Sequence, residues 1–112
     1  MQDANVRNID IEIEDAKRAI KRADMLDRLA KNADFQGLIE EGYFKEEASN
    51  IVIAKAIPHL REEKHQKIFD NRIIAIGELR QWLGEVGQQG AISRKALAEA
   101  ESIRDEVIDV EE

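Results

Sequence analysis

The chain has 112 residues, and its composition excludes several classes of protein. Hydrophobic residues make up 43% of it and charged residues 37%, whereas only 4% are aromatic and one is proline, which favours an all-α fold with an aliphatic core. The sequence has no cysteine, so disulfides and thiolate metal sites are excluded. The formal net charge of −7 disfavours direct binding to nucleic acid, because affinity for a phosphate backbone comes from cationic side chains.

The N-terminal residues carry acidic side chains and no apolar segment, so the sequence does not predict a signal peptide. No run of about 18 apolar residues is present, and we therefore expect no membrane span. Residues 1–9 show no regular apolar pattern and are predicted to form a flexible arm. Residues 10–112 are predicted to form a single helical domain, since one domain suits a chain of this length.

The first predicted helix begins at about Asp10 and ends near Lys31. Residues 9–13 alternate between apolar and polar, which alone is typical of a strand, but no second strand-like run could pair with them. Acids precede bases by four residues, as in Asp24 and Arg28, which predicts pairing within the helix. The apolar residues recur at helical spacing: Ile9, Ile13, Ala16, Ile20 and Ala23.

A short helix is predicted next, with Asp34 as its N-cap and Gly42 as its C-terminal stop. A further helix is predicted from about Phe44 to Ile57. The apolar residues of this region are expected to form a cluster that sets the angle between helices: Phe35, Leu38, Ile39, Tyr43 and Phe44.

The longest helical pattern covers about residues 59–89, with Pro58 in its first turn and Gly90 as its C-cap. A final helix is predicted over about residues 93–110. The sequence thus predicts a helical bundle of about four to five helices built on one long helix. Apolar residues of the long helix recur at steps of three and four: Ile68, Phe69, Ile73, Ala75, Ile76, Leu79, Trp82, Leu83 and Val86.

No pattern of catalytic, cofactor-binding or metal-binding residues emerges. Glu62 and His65 have the Glu-x-x-His spacing of di-iron bundles, but those sites need a second such motif, and His59 is the only other histidine. A solvated helix end is the favoured interpretation. The paired acids at 40–41 and 46–47 lack any sign of a pocket that would shift a carboxylate pKa, so no enzymatic activity is predicted.

Two predicted apolar surfaces have no obvious partner within the chain and are candidates for association. Trp82 is compatible with core packing or with an interface anchor, and the predicted final helix adds a second apolar face. A chain of this length has little else to cover both surfaces, so we predict self-association or incorporation into a larger assembly. The interface candidates are Trp82, Leu97, Ile103 and Val107.

Residues 34–48 resemble a pattern found in small helical proteins of tailed bacteriophages. Residues 70–80, 88–90 and 96–101 resemble the remaining blocks of that family, so the resemblance covers about residues 25–110. It implies a part in building the virion head or its connector and contributes no catalytic motif. The implied partner is a second copy or another virion protein, and the implied location is the virion or the host cytoplasm.

A non-enzymatic structural or assembly-chaperone protein is therefore the predicted function. The alternative is a small acidic regulator that inhibits a host nucleic-acid-binding enzyme by presenting carboxylates in place of phosphates. The two hypotheses predict different surfaces. Mimicry requires carboxylates clustered on one face, whereas an assembly role predicts an exposed apolar surface.

Overall fold

A computed structural model describes the backbone of residues 2–111 and the side chains of residues 7–108. All regular structure in this range is helical, with no strand, which confirms the all-α prediction. There are three long helices: α1 (Gln2–Ala30), α2 (residues 33–55) and α3 (Glu63–Glu111), with a short 3₁₀ turn at Pro58–Leu60 before α3. The predicted number of four to five helices is therefore wrong, because segments predicted as separate helices run on without a break.

Helix α2 changes its hydrogen-bonding pattern along its length. Ala33–Phe35 and Ala48–Lys55 are α-helical, whereas Gln36–Glu47 forms a π-helix, in which each N–H bonds to the carbonyl five residues earlier. The N-cap is Asn32, whose side-chain oxygen accepts a hydrogen bond from the Phe35 N–H at 3.0 Å. The predicted cap at Asp34 is thus two residues too late.

Helix α3 is longer than the predicted helix over residues 59–89. Pro58 starts the 3₁₀ turn, so α3 begins only at Glu63, and it continues through Gly90 to Glu111. A glycine C-cap needs a positive φ, and no glycine in the described part of the chain has one. The predicted stops at Gly42 and Gly90 are therefore wrong, and residues 93–110 belong to α3.

The chain divides into two compact units. Unit 1 comprises Met1–Asp27 with Glu85–Glu112, and unit 2 comprises Arg28–Gly84. Residues predicted as a flexible arm, 1–9, have helical backbone from Gln2 onward, and their flexibility stays a prediction. The predicted single domain over residues 10–112 also stays a prediction.

Unit 1 is a pair of antiparallel helices. Asp10 contacts Arg104 at 3.6 Å and Asp24 contacts Arg94 at 2.7 Å, so an early residue of α1 faces a late residue of α3. A Cβ added to Gly90 would lie 2.2 Å from the Cβ of Ala23, which shows how closely the two backbones approach.

Small residues line the interface of unit 1. Ten residues before Ala23 and ten after Gly90, the same antiparallel register brings Ile13 opposite Ala100, a large side chain against a small one. The buried positions on the two helices are Ile13, Ala16, Ala23, Gly90, Ser93 and Ala100. Together with the half-buried Ile20 and Leu97 they are spaced by three and four residues, as in a coiled-coil interface.

Unit 2 packs α2 against the first part of α3. Ile51 and Ile76, at 2% and 5% exposure, are its buried apolar side chains among the described residues. The Gln66 amide donates hydrogen bonds to the carbonyls of Lys55, at 3.2 Å, and Leu60, at 3.0 Å, which ties the connection between the helices to α3.

In the described residues, no helix combines the length and the apolar character needed to span a membrane.

Candidate functional site

Unit 2 has an open groove between α2 and α3, with a volume of about 440 Å³. Its lining is mostly apolar. The lining residues are Leu38, Ile39, Gly42, Tyr43, Glu47, Ile51, Arg72, Ala75 and Ile76. An open, apolar groove bounded by two helices is the kind of site that an amphipathic helix can occupy.

The π-helical part of α2 forms one wall of the groove. Because its hydrogen bonds span five residues, Leu38 and Tyr43 lie one π turn apart on this wall, and Gly42 lies between them. Because Gly42 has no side chain, nothing projects from this wall into the groove at that position. A Cβ at this position would lie 3.2 Å from the Gly37 carbonyl oxygen, closer than ordinary van der Waals contact.

A charged pair lies at the edge of the groove. The Arg72 guanidinium donates a hydrogen bond to the Glu47 carboxylate, and both side chains are partly exposed. An exposed pair of this kind contributes about 0–1 kcal/mol, so it orients the two helices more than it stabilises them. The Arg80 guanidinium lies 6.0 Å from the centre of the Phe44 ring, a second contact between α2 and α3.

Large apolar side chains beside the groove are exposed. Leu38, which lines it, is 73% exposed. On α3, exposed side chains follow one another at steps of four, three, four and three residues, the spacing of a helix–helix interface. We call this set the exposed seam: Ile68, Arg72, Ala75, Leu79 and Trp82.

The predicted interface candidates fall in different units. Trp82 lies in unit 2, on the exposed seam, and is 55% exposed. Leu97 and Val107 are half-buried in unit 1, at positions that continue the interface with α1, whereas Ile103 is 49% exposed. Their role in an interface stays a prediction.

No group of three or more histidine, cysteine, aspartate or glutamate side chains comes together to hold a metal ion among the residues whose side chains are described. His59 lies exposed in the 3₁₀ turn and His65 lies half-buried in the first turn of α3. Of the acids near Gly42, Glu41 pairs with Lys45, four residues later in the π-helical segment, at 2.9 Å.

The sequence interpretation missed the groove. It treated Gly42 as a stop between two helices, so Leu38 and Ile51 were assigned to separate elements and not to one wall. The exposed seam could have been found, because its steps of four and three residues are visible in the sequence. It was merged with the adjacent buried positions into one broad apolar stripe.

Comparison of the chain with known protein families, with curated proteins and with solved structures finds no match.

Proposed function

We propose that this chain is a non-enzymatic assembly protein of a tailed bacteriophage, a structural component of the virion or an assembly chaperone. It acts by packing its helices against a second copy or another virion protein, and it resides in the virion or the host cytoplasm. The observation that carries this proposal is the apolar groove of unit 2 with the exposed seam beside it. Exposed apolar patches of this kind are typical of protein–protein interaction sites.

The exposed apolar side chains also favour the assembly role over inhibition of a host nucleic-acid-binding enzyme. A mimic of a phosphate backbone needs free carboxylates on one face. Four carboxylates of α1 are instead paired: Asp10 and Asp24 contact arginines of the opposite helix, and Glu14 and Asp15 contact bases one turn away.

The experiment that tests the proposed function is mass spectrometry of purified virions and of head precursors from cells infected by a phage that encodes this chain. We expect the chain in at least one of these particles at a constant ratio to the major head protein. Absence from both, together with a monomeric state at high concentration, would contradict the proposal.

A pair of charge variants separates the two functions. Trp82→Asp should leave unit 2 folded, because this side chain on the exposed seam is already 55% exposed, and it should reduce incorporation into particles. Replacing Asp105 and Glu106 by lysine should leave incorporation unchanged and would abolish activity only in a mimic. Circular dichroism of both variants provides the control for folding.

A further inference from the structure

Unit 2 is electrically neutral, although the whole chain is acidic. Residues 28–84 carry nine acidic and nine basic side chains, whereas the rest of the chain carries fifteen acidic and eight basic ones. The entire formal net charge of −7 therefore lies in unit 1. Two copies that met through unit 1 would bring like charges together, and two copies that met through unit 2 would not.

The first four residues of the exposed seam, from Ile68 to Leu79, are spaced symmetrically about their midpoint. Ile68 and Leu79 lie at equal distances from the centre of residues 68–79, and so do Arg72 and Ala75. In an antiparallel pair of such helices, Ile68 lies opposite Leu79 of the other copy and Arg72 lies opposite Ala75. Each contact occurs twice, as a two-fold symmetric interface requires.

The charged residue that flanks the exposed seam, Glu78, is compatible with this antiparallel register. Glu78 lies on the border of the exposed seam. The register places it level with Phe69 of the other copy, and the nearest residue on the same border of that copy is the uncharged Asn71. If one helix were shifted by seven residues along the other, the two Glu78 carboxylates would instead lie side by side and repel each other. The small Ala75 side chain leaves room for Arg72 of the other copy. In each copy the charge of Arg72 is already paired with Glu47 of the same chain.

The angle between the two faces of α3 fits a four-helix arrangement. At 3.6 residues per turn, the exposed seam and the face that carries Phe69, Ile73 and Ile76 lie about a quarter of a turn apart around the helix. A helix at the corner of a square bundle contacts its two neighbours in this way. α2 occupies one neighbouring place, and the exposed seam faces the other.

We infer that unit 2 binds a second copy of this chain, exposed seam against exposed seam in antiparallel orientation. Two copies of α2 and two copies of residues 63–84 then form a four-helix bundle. The groove becomes part of the bundle core, and Leu38 is covered. This inference rests on the proposed function, because it assigns an occupant to the same groove.

The first test compares two isoleucines of α3 with almost the same exposure. Ile68 is 56% exposed and lies on the exposed seam, whereas Ile74 is 55% exposed and lies on another side of the helix. Sedimentation equilibrium should show a dimer for the wild type and for Ile74→Glu. Ile68→Glu should weaken the dimer about 10- to 100-fold, because a charge would be buried at the contact. Circular dichroism checks that both variants stay helical.

The second test uses the absence of cysteine in the natural sequence. Ile68→Cys and Leu79→Cys, each alone, should not form a disulfide between copies, because equivalent residues would be about 16 Å apart along the helix axis. A disulfide requires Cα atoms within about 7 Å. An oxidised mixture of the two proteins should therefore give only the mixed disulfide. Disulfides within each single variant would contradict the antiparallel register.

The outcomes separate this inference from the proposed function. A wild-type monomer at all concentrations, or equal weakening by Ile68→Glu and Ile74→Glu, overturns the self-association. If such a monomer is nevertheless present in particles, a helix of another virion protein occupies the groove and the proposed function stands. A dimer that is absent from virions and head precursors supports the inference and contradicts the proposed function.

Discussion

Because Gly90 has no side chain, α1 and α3 can approach each other closely in unit 1. The Cβ of Ala23 occupies the space that a Cβ at position 90 would need, so the backbones lie closer than two alanines would allow. Gly84 lies in the same helix with no atom within 4 Å of an added Cβ. The two glycines therefore differ in their environment and share their backbone conformation.

We predict that Gly90→Ala lowers the free energy of unfolding by about 1–3 kcal/mol, because the added methyl forces the helices of unit 1 apart. Gly84→Ala should raise it by about 0.5–1 kcal/mol, since alanine is the better helix former. Urea denaturation of both variants measures the difference. Equal shifts would show that α1 and α3 do not approach closely at Gly90.

The two glycines of the π-helical segment provide a second comparison. A Cβ at Gly37 would meet no atom within 4 Å, whereas one at Gly42 would crowd the Gly37 carbonyl oxygen. We predict that Gly37→Ala is more stable than Gly42→Ala by about 1 kcal/mol, because both gain helix propensity but only one is strained. If thermal denaturation places the two variants together, the π-helical register is not the populated one.

At the scale of the element, the first part of α3 carries two adjacent apolar faces with different environments. Ile76 is 5% exposed and packs against α2, whereas Ile74, two residues earlier, points to solvent. Neighbouring isoleucines on one helix thus contribute very differently to stability. The face that includes Ile76 holds unit 2 together.

Ile76→Asp should destabilise unit 2 by about 3–5 kcal/mol, because an unpaired charge would enter a buried apolar site. Ile74→Asp should change the stability by no more than about 0.5 kcal/mol. Thermal melts followed by circular dichroism provide the measurement. Equal melting temperatures for the two variants would place Ile76 at the surface.

Periodicity predicted which segments are helical and placed Ile76 in an apolar stripe, because local spacing determines both properties. It could not predict that the helices continue through Gly42 and Gly90. A glycine is compatible with a C-cap or with a close helix approach, and only the presence of Ala23 beside Gly90 decides between them. The same applies to Asp24, which was predicted to pair with Arg28 but contacts Arg94 on the opposite helix.

At the scale of the whole molecule, the net charge and the apolar groove lie in different units. Unit 1 carries the net charge, and unit 2 carries the groove and the exposed seam. If the proposed association is correct, the charge of unit 1 keeps the free chain dispersed and unit 2 provides the contact.

We predict that the dissociation constant of the dimer changes less than about threefold between 50 and 500 mM sodium chloride, because the proposed contact is between neutral units. A contact through unit 1 would tighten strongly with salt, since screening would remove the repulsion between acidic helices. Sedimentation equilibrium at the two salt concentrations distinguishes these cases. Ile68→Glu serves as the control for non-specific association at high salt.

The pairing of α1 with the last part of α3 also bears on the order of folding. Unit 2 is one continuous stretch, so its helices can meet as soon as residues 28–84 are available. α1 is synthesised first, but its partner, residues 85–111, follows only after the whole of unit 2. Closing so long a loop is slower than forming contacts between neighbouring helices. During translation α1 must therefore wait, with its interface uncovered, until unit 2 has had time to fold.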